Sequence, residues 1–262
     1  MKNTVRGLLS RPSTQPVLLW LLKLCHAGLN YGGGQSVADS GEIGALKFVK
    51  ARGQRSAPFV LFDVGANDGD YLNAALDTVG DRLKAWSFEP QSACFRKLRD
   101  RFGADLRIKL KQAAVGNEAG TVELFFSSEG ETTASLHRDS ISGQAHSETV
   151  PLTTIDRLCE EDQVAHIDLL KIDTEGHEMA VLLGASRMIE SGGIAAIQFE
   201  FGDTFLHTPY HFTDIWQLLS PRYAFYRILR HGLFEIPRYA PDLEIYKTAN
   251  FLCVLNEQSQ SR

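Results

Sequence analysis

Asp63-Val-Gly-Ala-Asn-Asp-Gly-Asp-Tyr71 is the stretch on which the fold turns. It continues Phe59-Val-Leu-Phe-Asp-Val64, a short apolar run rich in β-formers that stops at glycines and so reads as a buried strand. In doubly wound α/β sheets the loop after the first strand opens onto the crevice where ligands bind. Gly65 and Gly69 suit such a loop, because a residue without a Cβ turns sharply and lets a ligand approach the backbone. Their Gly-x-x-x-Gly spacing departs from the Gly-x-Gly-x-x-Gly pattern of dinucleotide sites. The stretch is also acidic, with Asp63, Asp68 and Asp70. Three carboxylates repel a pyrophosphate and attract a cation.

Leu83–Phe88 reads as the second strand and runs into Phe88-Glu89-Pro90, with Glu89 lying 26 positions beyond Asp63. Doubly wound folds place an acid there whose oxygens accept hydrogen bonds from ribose hydroxyls. Each acid alone has a plainer reading: Asp63 can close an Asx-turn, and Glu89 can favour the positive end of the next helix. Together, after consecutive strands, they point to a ligand with a ribose and a cationic end. S-adenosyl-L-methionine, with a sulfonium, an ammonium and no phosphate, has that chemistry.

Working outward, helical spacing covers Tyr71–Val79 and Ser92–Phe102, the second with Phe95, Leu98 and Phe102 on one face. Lys109–Val115 reads as a third strand, and Thr121–Phe126 as an extra one paired through the Gly116–Gly120 turn. Thr153-x-x-Asp156 resembles a capping box that opens a short helix to Glu161. Ile167–Ile172 reads as the fourth strand, His177–Ile189 as the third major helix, and Ile194–Phe201 as the fifth strand. Phe212–Leu219 is helical, and Tyr223–Leu229 and Glu244–Leu255 close the sheet. This alternation implies an α/β fold with a mainly parallel sheet and helices on both faces. Residues 127–149 form the longest irregular stretch, and with residues 202–212 they are expected to close over an acceptor.

The chain has 262 residues, 44% of them hydrophobic, and a net charge of −5. A chain this long buries roughly three quarters of its unfolded surface, which excludes natural disorder and a disulfide scaffold. The acidic balance argues against a nucleic-acid partner. Cys25, Cys94, Cys159 and Cys253 are scattered without a zinc or CxxC spacing and suit the reducing cytoplasm. Residues 1–38 hold Lys2, Arg6, Arg11 and Lys23 and no acid, leaving 23 basic against 32 acidic residues elsewhere. The run Val17-Leu-Leu-Trp-Leu-Leu22 is too short to span a bilayer. It reads as a helix that packs on the domain or a partner, or contacts an anionic membrane peripherally, with Gly32-Gly33-Gly34 as a hinge. The division expected is an N-terminal helical extension over 1–57, a catalytic domain over 58–256 and a disordered tail over 257–262.

Asp63–Tyr71, Phe88-Glu89-Pro90, Gln112-Ala-Ala-Val-Gly116 and Leu169-Leu-Lys-Ile-Asp-Thr-Glu-Gly-His-Glu178 carry a resemblance, supported by Thr153-Thr-Ile-Asp156, Phe199-Glu200 and Asn250-Phe-Leu252. On these motifs the chain resembles the FkbM family of class I S-adenosyl-methionine-dependent methyltransferases, over about residues 59–255. The resemblance implies a Rossmann-like, seven-stranded sheet with an antiparallel last strand. It implies O-methylation of hydroxyls on sugars, glycans or secondary metabolites. It also implies that Asp63, Gly65, Ala66, Asn67, Gly69 and Tyr71 line the methionine end of the cofactor. Glu89 with Pro90 would hold the ribose, Gln112, Ala113 and Ala114 would flank the adenine, and Asp173 would complete the cofactor set. Thr174 stands where the family commonly has Val.

Asp173 and Glu175 follow the fourth strand and Glu200 sits near the end of the fifth, so three carboxylates are expected on one lip of the crevice. An attacking hydroxyl must lose its proton, and a base or a divalent metal can take up that task. Crowded acids serve either purpose, since crowding raises a carboxyl pKa and a divalent cation takes oxygen ligands. His177 is the other candidate base. The structural readings are that Asp173 caps a helix, Glu175 complements its positive end, Glu178 is a solvated helix residue and His177 is a packing residue. His137, His146, His207 and His211 show no metal spacing, although His207 and His211 are near enough to loops to meet a substrate. Lys171, a cation in an apolar strand, is expected to pair with a strand-end acid. The reading from a different class is a catalytically silent cofactor-binding module that docks on a membrane or partner through residues 1–38.

Overall fold

Phe59–Val64 (β1) alternates its apolar side chains to both sides, Phe59 and Leu61 toward one face and Phe62 and Val64 toward the other. A strand that is apolar on both faces belongs inside a sheet covered on both faces. In the computed structural model, which describes residues 6–7, 9–32, 36–53, 57–128, 134–141 and 145–256, that is its position. The main sheet also contains β2 (Leu83–Phe88) and β3 (Ile108–Lys111). A smaller sheet is built from β4 (Ala114–Val115), β5 (Gly120–Phe126) and β6 (His146–Thr153). The main sheet continues with β7 (Leu169–Ile172), β8 (Ala196–Phe201), β9 (Tyr223–Leu229), β10 (Gly232–Ile236) and β11 (Ala249–Leu255).

The order is β3-β2-β1-β7-β8-β11-β9-β10, with β1, β2, β3, β7 and β8 parallel and β11 antiparallel to both its neighbours. Helices Glu42–Arg52, Asp70–Val79 and Ser92–Phe102 bury Leu46, Leu72 and Leu98 on the face of Phe59 and Leu61. Helices Ile155–Glu161, Glu178–Leu183, Ser186–Ser191 and Phe212–Leu219 bury Leu158, Leu182, Ile189 and Ile215 on the other. The strand order reverses between β1 and β7, and the crevice at their carboxyl ends is where such a sheet holds ligands.

Several expectations are corrected. The sheet has eight strands rather than seven, because β9 folds back into β10 through Arg230-His231, a turn without the Asn-Gly or Asp-Gly signal. The expected third strand breaks after Lys111, and Ala114–Val115 leaves to pair with β6. β5 pairs with β6 and not with the strand before it. β6 lies partly inside the stretch read as irregular, since only Val150 of its residues is fully buried. The helix expected over 177–189 is two helices, separated where a Cβ on Gly184 would overlap the Gly116 carbonyl oxygen. Asp156 caps the second of them, accepting from the Arg187 and Met188 N–H groups, while Thr154 caps its own helix. Helix Glu42–Arg52 shares the core with β1, so the core begins ahead of the boundary drawn at 57.

The predicted N-terminal helix is present as Gln15–Gly28. Gly33 and Gly34 of the expected hinge, and the tail 257–262, lie outside the described residues. No described helix is long and apolar enough to cross a membrane.

Candidate functional site

The carboxyl ends of β1, β2, β7 and β8 open into a cleft of about 620 Å³. Its floor is the loop after β1, which is stitched to the end of β2. The Gly65 and Ala66 N–H groups both donate to the Phe88 carbonyl at 3.0 Å. The Asn67 N–H donates to one Glu89 oxygen and the Gln91 N–H to the other, each at 2.8 Å. Gly65 has φ +77°, and a Cβ there would overlap the Asp173 carbonyl oxygen. Only glycine lets these two strand ends close together and leaves the backbone bare toward the cleft. Burial pushes the Glu89 carboxyl up to about 7 against the pull of its two backbone donors. Each Glu89 oxygen keeps a second lone pair for a ligand hydroxyl.

Behind the floor, Asp63 on β1, Lys171 on β7 and Gln198 on β8 occupy one register row across three strands. Lys171 Nζ sits 3.5 Å from Asp63 and 3.3 Å from Asp173, and it lies over the Tyr71 ring. It is the strand cation expected to find an acid. Burial works against its charge, but Asp173, Asp63 and Glu42 outweigh it and raise its pKa. Gln198 donates to Glu42 at 2.6 Å and its carbonyl accepts from the Tyr71 hydroxyl at 3.2 Å. Ser40 donates to the second Glu42 oxygen at 2.7 Å.

The far lip is the turn after β7. Glu175 has φ +53° and Gly176 φ +102°, so two successive residues take left-handed backbone. Glu178, read from sequence as solvated, is instead buried, because its carboxylate folds back to accept from the Thr174 N–H at 2.9 Å and the Gly176 N–H at 3.0 Å. That clamp fixes the turn and aims Glu175 into the cleft. Burial, and then Asp173, Glu178 and Asp203, push the Glu175 carboxyl up to about 8. Burial with Asp173 and Glu175 raises Glu200 strongly. Ser135 donates to the Glu175 carbonyl at 2.9 Å, which brings Ala134 and Leu136 over the lip.

The cleft wall thus gathers Gly65, Ala66, Asn67, Tyr71, Glu89, Pro90, Ala114, Asp173, Glu175, His177 and Glu200. It leaves out four residues expected there. Asp63 is fully buried behind the wall against Lys171, and Gly69 packs on Phe102 and Leu98 of the next helix. Ala113 is buried, and Gln112 points away to donate to Ser92. The acids thought to draw in a cation are also differently employed, since Asp68 and Asp70 pair with Arg101. Other acids that line the cleft are Glu42, Asp173, Glu175, Glu200 and Asp203, and burial raises the carboxyls of Glu42, Glu175 and Glu200.

His177 packs against Gly116, and burial followed by His137 lowers it to about 4, with a buried Nε2 that has no hydrogen-bond partner. It is a weaker base than Glu175 or Glu89. Asp173 caps no helix; the helix begins at Glu178 behind His177. His207 and His211 do not reach the wall, and His211 Nδ1 is 2.7 Å from the Tyr246 hydroxyl. Among the described residues, no three His, Cys, Asp or Glu side chains are arranged to hold a metal ion. Glu42 and Gln198 were not anticipated. The signal that finds them is the Lys171–Gln198 register between neighbouring strands.

The raised carboxyls fix how stability must depend on pH. Glu89, Glu175 and Glu178 bind protons in the folded chain up to about 7, 8 and 7, whereas the unfolded chain releases them near 4.5. The folded state therefore holds more protons in that window, and stability falls as pH rises from about 4.5 to 8. A loss on the order of 5 kcal/mol is expected between pH 5.5 and 8, the three carboxyls costing about 7 kcal/mol and His177, lowered to about 4, offsetting about 1 to 2 kcal/mol. Urea midpoints across this range measure it, and a midpoint that climbs with pH contradicts the assignment.

With that geometry in place, comparison with known proteins is informative. The family described as "Methyltransferase FkbM domain" matches residues 63–228. No curated protein matches the chain. Among solved structures, precorrin-6y C5,15-methyltransferase from Geobacter metallireducens is 13% identical, with 82% of this chain and 88% of that one covered and a TM-score of 0.42. The N-terminal domain of human METTL16, solved with SAH, is 10% identical, with 82% and 69% covered and a TM-score of 0.45.

Proposed function

The chain belongs to the FkbM methyltransferase family, and from that premise we propose that it methylates a hydroxyl group of a sugar, a glycan or a secondary metabolite. The observation that supports this reading best is the convergence of Asp173, Glu175 and Glu200 on the wall facing the Gly65 loop. The bare backbone at Gly65, the Glu89 carboxyl and the acidic wall fit a ribose-bearing cation, and they disfavour a polyanionic acceptor such as nucleic acid. When bound, S-adenosyl-L-methionine supplies a methyl group activated on its sulfonium sulfur.

The residues then divide the remaining work. Glu175 accepts the hydroxyl proton as attack proceeds, because its carboxyl titrates near the pH at which a base is most effective. Glu200, whose carboxyl is raised by burial and then by Asp173 and Glu175, is placed to donate a hydrogen bond that orients the acceptor. Asp173, fixed by Lys171 at 3.3 Å, holds the turn and faces the ligand. The four free cysteines agree with a reducing compartment, the cytoplasm.

Titration calorimetry with S-adenosyl-L-methionine and its demethylated product is the first test, and failure of well-folded protein to bind either defeats the reading. With an acceptor found from a panel of glycosides, kcat/KM is expected to climb about tenfold per pH unit and level off near 8. Glu175→Gln is expected to lower kcat by about 10²–10⁴ with little change in cofactor affinity, and to flatten that profile. A variant that keeps the wild-type profile places the proton on another group.

A further inference from the structure

Helix Gln15–Gly28 has an apolar surface that nothing among the described residues covers. Leu18 and His26 are half-buried, whereas Val17, Leu19, Trp20, Leu21, Leu22 and Leu24 are exposed at 59%, 58%, 58%, 44%, 49% and 51%, with Val17, Trp20, Leu21 and Leu24 forming one stripe at i, i+3, i+4 and i+7. An outward apolar stripe of this length needs an occupant. Its neighbourhood says which kind: residues 1–38 carry Lys2, Arg6, Arg11 and Lys23 and no acid, while the rest of the chain is strongly acidic. Basic charge around a Trp- and Leu-bearing helix matches an anionic lipid interface. The 14-residue helix, about 21 Å long, is too short to cross a bilayer and suits lying in its plane.

The segment that follows the helix is held to the catalytic body. Asn30 donates to the Ser40 and Ile228 carbonyls at 2.9 and 3.0 Å, and Tyr31 is buried under Arg227, which donates to its hydroxyl at 2.8 Å. The Gly32 N–H donates to the Thr248 carbonyl at 2.7 Å, and Gly32 itself lines the cleft. Leu24 of the stripe and Gly32 at the cleft are therefore eight positions apart along the chain. We propose that Val17, Trp20, Leu21 and Leu24 insert into an anionic lipid surface and dock the protein there. This inference stands independently of the methyl-transfer reading.

Sedimentation of the full chain with vesicles of phosphatidylcholine, with and without phosphatidylglycerol, tests it. Binding is expected to be at least about tenfold tighter to the anionic vesicles and to weaken with salt. Trp20→Glu/Leu24→Glu is expected to lower that binding at least about tenfold, and Lys23→Glu by about 5- to 30-fold. Absence of wild-type binding, or equal binding by the double variant, overturns the proposal. So does a wild-type dimer in light scattering that the double variant dissolves while neither binds vesicles. Calorimetry of the double variant with S-adenosyl-L-methionine reports on the cleft separately, so either reading can fail alone.

Discussion

Gly65→Ala is expected to remove measurable cofactor binding, weakening it by at least about a hundredfold. Two costs fall on one methyl group. The backbone at this position has φ +77°, where an L-residue is strained by about 1–2 kcal/mol. The larger cost is steric, because the new Cβ meets the Asp173 carbonyl, which is backbone and has no rotamer to escape into. Either β1 and β7 part at their carboxyl ends or the loop leaves its bonds to Phe88, and both spoil the floor of the cleft. Gly80→Ala separates the two costs, since Gly80 has φ +76° and open space around it. Calorimetry with S-adenosyl-L-methionine, with circular dichroism as the folding check, is expected to find Gly80→Ala binding normally and Gly65→Ala not at all. Normal binding by Gly65→Ala would mean that the cofactor does not rest on this loop.

Lys171→Met is expected to cost about 3–5 kcal/mol of stability, the range for removing one partner of a buried ion pair. For a domain of this size that lowers Tm by about 10 °C. The reason lies with Asp63, which is fully buried and has no hydrogen bond to replace the ion pair. The Lys171 ammonium also reaches the Gly65 carbonyl at 3.4 Å, so the variant loosens the cofactor loop as well. The double variant Asp63→Asn/Lys171→Met is expected to recover more than half of the loss, because it leaves no unpaired charge inside. Thermal melts of the two variants decide the matter. A single variant as stable as wild type, or a double variant worse than the single, would show that Asp63 is neutral in the folded protein.

The parts of this molecule written in short-range pattern were legible beforehand. β1, the loop after it and Glu89 follow from strand periodicity and from the rule that ligands bind where strand order reverses. The lip carrying Asp173 and Glu175 followed in the same way. The interior charge balance was not legible, because its partners are distant in sequence: Gln198 and Glu42 are 156 positions apart. Asp68 and Asp70 looked free only because Arg101 lies a helix away. Glu178 was misread for the opposite reason. Its partners are two and four residues back, but a carboxylate that curls toward its own turn leaves the same sequence trace as one pointing into water. β6 and β10 escaped notice because each buries too few side chains to show alternation.

One lysine cannot neutralise the carboxyls crowded around it. Lys171 is shared by Asp63 and Asp173 with Glu42 close by, while Glu175 and Glu200 keep their charge down only by holding protons. A positive centre placed among these carboxyls would favour their ionised forms, and the cleft is in this sense built for a positive charge. A guest bearing that charge completes the interior and releases protons to the solvent as it enters. Binding of a positively charged guest is therefore expected to strengthen as pH rises toward 8, more than binding of a neutral molecule of the same shape.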